Sequence, residues 1–305
     1  KALRTRLVEE FSLRSLTLVG TEESSDGQTV KYLWKLHDDK LVESVLILAP
    51  GRQTVCVSSQ VGCPARCAFC ASGKEGLIRS LSAAEIFEQV YRIHQILSKQ
   101  GQRVSNVVFM GMGEPLANYD NVVHAIKLLC DPLRLHMSER RITVSTVGIV
   151  EGIKQLAQED MKVNLVLSLH APNQHIRKKI IPFARKYDIE DVLSSMIYYA
   201  KTTSRDITYE YTLLKGINDS VEHAIELAAL VKDHPCTVNL IPYNPVDGLN
   251  LKRPEKESIE EFKATLENKG VVVTWRYTKG KDIAAACGQL ALKKNQPKLV
   301  SLGSC

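Results

Sequence analysis

From Gln53 onward, short β-branched apolar runs alternate with amphipathic stretches of helical period. The runs predict strands at Thr54–Ser58, Asn106–Met110, Ile142–Ser145, Asn164–Leu169, Thr208–Leu213, Val238–Pro242 and Val271–Arg276. Between them the apolar spacing predicts helices at Ala83–Leu97, Val122–Leu129, Val150–Gln158, Ile189–Ala200, Val221–Val231 and Ile259–Leu266. Ile86, Val90, Ile93 and Leu97 show the step of three or four residues that builds one apolar helix face. Strand and helix repeated six times imply a parallel sheet covered by helices. Six units are too few for the closed eight-fold barrel. The expected fold is α/β, an open partial barrel of the (β/α)6 kind, with its working groups at the carboxyl ends of the strands.

Residues 1 to about 50 read differently. Phe11–Val19 looks like a helix-to-strand passage, Ser25-Asp26-Gly27 a turn, Lys31–Leu36 a strand, and Leu41–Leu48 its pairing partner. The expected organisation is an N-terminal accessory layer over 1–50, a catalytic core over 51–291, and a frayed polar tail over 292–305. Opening on Lys1, the chain is expected to be a fragment or processed form of a longer protein.

Composition narrows the classes. With 305 residues, 44% hydrophobic and 24% charged, the chain has the make-up of a soluble globular protein with an ample core. No apolar run is long enough to cross a membrane, and no secretory signal opens the sequence. Net charge of +6 permits a polyanionic partner without requiring one. Four of the eight cysteines crowd between Cys56 and Cys70. That crowding favours metal or redox chemistry in a reducing interior, and hence a location in the cytoplasm or in an organelle with a reducing interior.

The stretch Cys63-Pro-Ala-Arg-Cys67-Ala-Phe-Cys70 has the spacing C-x3-C-x2-C. Three thiols in one tight loop suit a disulfide badly, because one is left over. They suit a 4Fe-4S cluster, whose usual ligand is thiolate and whose fourth iron would stay open to an outside molecule. A zinc loop completed by Cys56 or His37 is the other reading of this spacing. After a predicted strand comes Gly111-Met112-Gly113-Glu114-Pro115. Glycines there let backbone approach a ligand, and Glu114 offers a carboxylate or carbonyl to an ammonium group. An ordinary β/α turn would also use these residues. Together the two motifs point to S-adenosylmethionine, whose amino and carboxylate groups can chelate an open iron. Cys56 alternates with Val55 and Val57 and faces opposite to them, while Cys287 sits among small neighbours. Each is equally readable as a packing thiol. Cys130, Cys236 and Cys305 match no motif.

The cysteine loop followed by Gly-x-Gly-Glu-Pro resembles the radical S-adenosylmethionine superfamily. Val55-Cys56-Val57-Ser58-Ser59-Gln60-Val61-Gly62-Cys63, Ser168-Leu169-His170-Ala171-Pro172-Asn173, Asn239–Pro245 and Asp282–Leu290 narrow the likeness to the RlmN/Cfr RNA methyltransferases. That resemblance implies methylation of an adenine ring carbon, C2 or C8, in ribosomal or transfer RNA. It implies Cys63, Cys67 and Cys70 as cluster ligands, with two S-adenosylmethionine molecules used per turnover. Cys287 would carry the methyl group, Cys56 would resolve a covalent protein–RNA adduct, and Glu43 would accept a proton. Gly113, Glu114, Ser145, Ser168, Leu169, His170 and Asn244 match positions that hold S-adenosylmethionine. A flavodoxin or ferredoxin donor and a monomeric enzyme are also implied. The rival readings are a radical enzyme with another substrate and a zinc-stabilised RNA-binding module.

RNA contacts are expected at Arg140-Arg141, Arg177-Lys178-Lys179, Arg185-Lys186 and Lys279-Gly280-Lys281, each of which is equally readable as a solvated face. Three departures from the family pattern stand out. The helical region that precedes residue 1 in the family is missing, Ile181-Pro182-Phe183-Ala184-Arg185 replaces an Asn-Lys-containing segment, and Lys279 stands where arginine is frequent.

Overall fold

The strand–helix alternation is realised in the computed structural model, which describes Arg6, residues 14–275 and residues 279–290. Strands β1 (Thr17–Glu23), β2 (Thr29–Lys35) and β3 (Leu41–Ala49) form an antiparallel meander that pairs with β4 (Arg52–Cys56). A hairpin of β5 (Gln60–Gly62) and β6 (Leu77–Ser80) follows. The chain then runs α1 (Ala83–Ser98), β7 (Asn106–Phe109), α2 (Tyr119–Cys130), β8 (Ile142–Thr146), α3 (Val150–Ala157) and β9 (Asn164–Ser168). It continues through α4 (Gln174–Ile180), α5 (Ile189–Thr203), β10 (Ile207–Leu213), α6 (Val221–Val231), β11 (Cys236–Pro242), α7 (Lys256–Asn268) and β12 (Val272–Trp275).

β4 and β7 to β12 are parallel and lie in chain order, so the sheet runs from β1 at one edge to β12 at the other without closing. Helices cover the outer face, which is why strands such as Asn106–Phe109 are nearly continuous apolar runs. Ile86, Val90 and Ile93 are fully buried, as their spacing predicts. Ser82 opens α1 with a reciprocal cap: its hydroxyl accepts from the Glu85 N–H, and its own N–H donates to the Glu85 carboxylate. Among the described residues, no helix is long and apolar enough to cross a membrane.

Two elements were not readable from periodicity. Hairpin β5–β6 is too short to show alternation, and the seven residues of α4 are largely polar. The N-terminal strands also extend the main sheet through the β3–β4 pairing. Residues 11–13 of the predicted passage, Arg276 and the tail 292–305 lie outside the described residues.

Gln89 joins the helical layer to the start of the site. Its amide oxygen accepts from Ser44 Oγ at 2.7 Å and from the Ser58 N–H at 3.0 Å. Its amide nitrogen donates to the Ser58 and Glu85 carbonyls at 3.0 and 3.2 Å. The side chain is completely buried, so removing it strands several polar groups. Gln89→Leu should cost on the order of 3 kcal/mol in urea unfolding. A loss below about 0.5 kcal/mol would show that water or neighbours replace the network.

Candidate active site

β7 to β11 deliver their carboxyl ends to one cavity, which also takes in Cys63, Cys67 and Cys70. It spans about 800 Å³ including space open to solvent. The cysteine loop is fixed by its backbone. The Cys63 N–H donates to the Gly76 carbonyl at 3.1 Å and the Ala68 N–H to the Ile180 carbonyl at 2.8 Å. Arg66 turns the chain in the left-handed region at φ 52°. Beneath the loop, Ala65, Phe69, Ile176, Ile180 and Ile181 form a separate apolar cluster. Ile181, in the segment that departs from the family pattern, is therefore part of the loop's floor.

Gly113 shows what the glycines after β7 accommodate. It has φ 106°, and a Cβ there would stand 2.7 Å from Ser59 Oγ and from Gln60 Cβ. The close approach is by the chain leading into the cysteine loop, not by a ligand alone. Glu114 is 2% exposed, and its carboxylate accepts from the Val147 N–H at 2.8 Å, Thr146 Oγ1 at 2.7 Å and the Leu116 N–H at 3.0 Å. Burial pushes this carboxyl up to about 7, against the three hydrogen bonds and the Arg177 charge that pull it down.

Residues 279–290 bring Cys287 to the same cavity. On one side Lys31 Nζ donates to the Ile283 carbonyl at 2.8 Å, and the Ser25 N–H donates to the Asp282 carboxylate at 2.8 Å. On the other side the Ala71 N–H donates to the Gly288 carbonyl at 2.8 Å, and Asn244 Nδ2 donates to the Cys287 carbonyl at 3.2 Å. A second cavity shares Cys287, Asn244 and Ile241 with the first and is lined by Thr54 and Val108. Cys56 is buried, pairs in register with Val108, and shares the strand face of Thr54, so it points to this interior. Glu43 lies on the same face of β3 as Val45, the register partner of Cys56. Its Oε1 stands 3.4 Å from Lys31 Nζ.

Residues 57–228 match the radical SAM superfamily. A "Probable dual-specificity RNA methyltransferase RlmN 2" of Protochlamydia amoebophila is 61% identical over 296 residues, 97% of this chain and 83% of that protein. The "Probable dual-specificity RNA methyltransferase RlmN" of Dictyoglomus thermophilum is 48% identical, with 95% and 83% covered. The crystal structure of a radical SAM methyltransferase from Sphaerobacter thermophilus superposes with a TM-score of 0.93 at 42% identity, covering 95% of this chain and 85% of that one. The chain belongs to the RlmN/Cfr family of radical SAM RNA methyltransferases.

Enzymes of the radical SAM superfamily carry a 4Fe-4S cluster and S-adenosylmethionine, and the cavity of this family member suits both. Burial pushes the Cys63 thiol up to about 12 and raises Cys67 and Cys70 as well. Thiols so buried ionise when a metal supplies the compensating charge. Zinc would need its donors about 2.3 Å from one centre, and among the described residues no three His, Cys, Asp or Glu side chains are grouped for one ion. His37 lies beside Arg79 and Glu85 in a different surface hollow, and Cys56 is not among the residues lining the cysteine cavity. Three thiols facing one cavity offer one sulfur to each of three corners of a cluster.

Ser145 Oγ and Ser168 Oγ share a hydrogen bond at 3.1 Å at the cavity wall. His170 Nδ1 accepts from the Thr212 N–H at 3.0 Å, which leaves the ring proton on Nε2. Its ring meets the Phe69 ring edge-on at a centroid distance of 4.9 Å. Leu169 is not at the cavity: its side chain is fully buried in the core. Glu210, Thr212 and Tyr243 line the cavity without having been singled out in the sequence. Glu210 was the one with a signal, as a carboxylate inside the apolar strand Ile207–Leu213.

The basic pairs separate by location. Arg140 and Arg141 precede β8, at the end of the sheet opposite the cavity. Arg177 is completely buried and cannot meet a phosphate. Lys279 donates to the Leu48 carbonyl at 3.1 Å. Lys179, Arg185, Lys186 and Lys281 are exposed, the first three in the connection leaving the carboxyl end of β9. Cys130 ends α2 and Cys236 starts β11, both away from the cavity, and Cys305 lies outside the described residues.

Burial, aided by the Arg177 charge, lowers His170 from 6.5 to about 3. A depressed basic group contributes stability that is present above about pH 6.5 and is lost as pH falls through the folded value. His170→Asn, which tolerates the left-handed φ of 55° found here, should flatten the loss of stability between pH 6.5 and about 3. An unchanged acid slope in urea titrations would show that the imidazole is already charged in the folded protein.

Proposed function

We propose that this RlmN-family chain methylates a ring carbon of adenine, C2 or C8, in ribosomal and transfer RNA. Two S-adenosylmethionine molecules would be used for each methyl group installed. An sp2 ring carbon is too weak a nucleophile to take a methyl group directly from a sulfonium, so a carrier and a radical route are needed. The cluster and S-adenosylmethionine, when bound, supply a 5′-deoxyadenosyl radical.

The remaining roles fall to residues of the chain. Cys287 Sγ accepts the first methyl group, loses one hydrogen atom from it, and bonds through the resulting methylene to the ring carbon. Glu43 accepts the proton that the ring carbon gives up, and the one surplus electron of the adduct would return to the bound cluster. Cys56 Sγ then attacks Cys287 Sγ, and the released methylene takes up a proton, which frees the methylated base and leaves a Cys56–Cys287 disulfide for an outside thiol to reduce. Asn244, bonded to the Cys287 carbonyl, orients the carrier. A flavodoxin or ferredoxin would supply electrons, with the enzyme acting as a monomer in a reducing cytoplasm. Lys179, Arg185, Lys186 and Lys281 would meet the RNA backbone.

One observation carries this reading: Cys287 lines the same cavity as Cys63, Cys67 and Cys70. Two variants test it. Cys287→Ala should lower methylated adenosine in treated RNA by on the order of 10³-fold, while 5′-deoxyadenosine still forms from S-adenosylmethionine. Full methylation by that variant, read by nucleoside mass spectrometry, would refute the carrier role. Cys56→Ala should accumulate a protein–RNA adduct visible as a shifted band under denaturing conditions. Multiple clean turnovers would assign resolution to another thiol.

A further inference from the structure

We propose that Arg177 is a fixed cation that raises the reduction potential of the cluster. Its side chain is completely buried. Nε donates to the Leu169 carbonyl at 3.3 Å and Nη2 to the Val147 carbonyl, both at the carboxyl ends of neighbouring strands. Nη1 has no hydrogen-bond partner. Among the described residues no carboxylate forms an ion pair with this guanidinium. A buried, uncompensated cation costs several kcal/mol, so its presence calls for an anion that the protein alone does not supply. Two carbonyl dipoles offset only part of that cost, and Glu114, pushed up to about 7, is only a part-time anion at neutral pH.

The packing around Arg177 indicates where the anion belongs. Val147, whose carbonyl accepts from Nη2, lines the cavity together with Cys63, Cys67 and Cys70, and Ile176 and Ile180 of the same helix pack with the cysteine loop in one apolar cluster. Helix α4, which carries Arg177, is tied to the cysteine loop by the Ala68–Ile180 backbone bond, so the cation and the loop move as one body. A cluster held by three thiolates is anionic. Reduction takes one electron from a low-potential one-electron donor, makes and breaks no bond, and adds one negative charge. A buried cation beside a ligand thiolate favours that reduced state, and net charge and surrounding dipoles are what set cluster potentials. Arg177 therefore acts on the cluster site as a positioning charge and touches no substrate.

This inference rests on the assignment of the cluster to Cys63, Cys67 and Cys70, and the test separates the two. Reconstituted wild-type, Arg177→Met and Arg177→Lys proteins are titrated with redox mediators without S-adenosylmethionine, following the reduced cluster by paramagnetic resonance. Iron and sulfide content and circular dichroism are measured on the same samples. The expected result is a more negative midpoint for Arg177→Met, with Arg177→Lys close to wild type because the charge is kept. Equal midpoints in all three proteins would overturn the proposal, as would Arg177→Lys falling as far as Arg177→Met. Wild-type protein that takes up no iron would instead overturn the cluster assignment. Should Arg177→Met bind no iron, Arg177→Gln titrated in the same way decides the matter. A more negative midpoint in that protein supports the proposal, and a midpoint equal to wild type overturns it.

Discussion

A buried carboxyl group at Glu114 holds the working end of the sheet together. It accepts from the Leu116 N–H, Thr146 and the Val147 N–H, while its own N–H donates to Gln60 Oε1 at 2.9 Å. Those partners belong to the chain after β7, the end of β8, and β5 at the entrance to the cysteine loop. Charge-assisted bonds in a low-dielectric interior are strong, and an unmatched partner there is costly. Three strand ends are thereby set in one arrangement, and the ligand residues inherit it. Gly113 beside Glu114 serves the same end, because a side chain there would push Ser59 and Gln60 away.

The open sheet poses a second problem, since the cysteine proposed as carrier must reach an interior that the barrel leaves uncovered on one side. Residues 279–290 bridge that side mainly by hydrogen bonds to backbone, from Lys31, Ala71 and Asn244. Each such bond contributes on the order of 1 kcal/mol, enough in sum to seat the segment without burying it deeply. Cys287 is accordingly half-buried, whereas Cys56 is fully enclosed on a central strand. The difference suits their proposed roles. A carrier must meet a cofactor, a radical and an RNA base in turn, while a resolving thiol meets only the carrier.

Charge is sorted along the barrel axis. Arg177 is buried on helix α4, which the Ala68–Ile180 bond ties to the cysteine loop, and burial pushes the three thiols of that loop toward the neutral form. Lys179, Arg185 and Lys186 are exposed in the connection that leaves the same end of the sheet. One short basic segment thus supplies both an interior cation and outward-facing ones, because the 3.6-residue turn of helix α4 buries Arg177 and Ile180 while leaving Lys179 exposed.

The chain's periodicity was enough to determine the parallel strands and the helices between them, since a local apolar period reports directly which face is buried. The spacing of Cys63, Cys67 and Cys70 likewise announced a ligand loop, because ligands within one loop must converge. Cys56 and Cys287 were indistinguishable from packing thiols without the likeness of their surrounding motifs. Arg177 was misread as a phosphate contact, and the approach of Ser59 and Gln60 to Gly113 went unread, for a common reason. Whether a charge faces water or a buried sulfur, and what a missing Cβ makes room for, is settled by contacts between segments far apart in the chain. Local spacing carries no record of those contacts. Periodicity therefore specified the barrel and its cysteine loop, and only tertiary packing decided which neighbour each buried charge would meet.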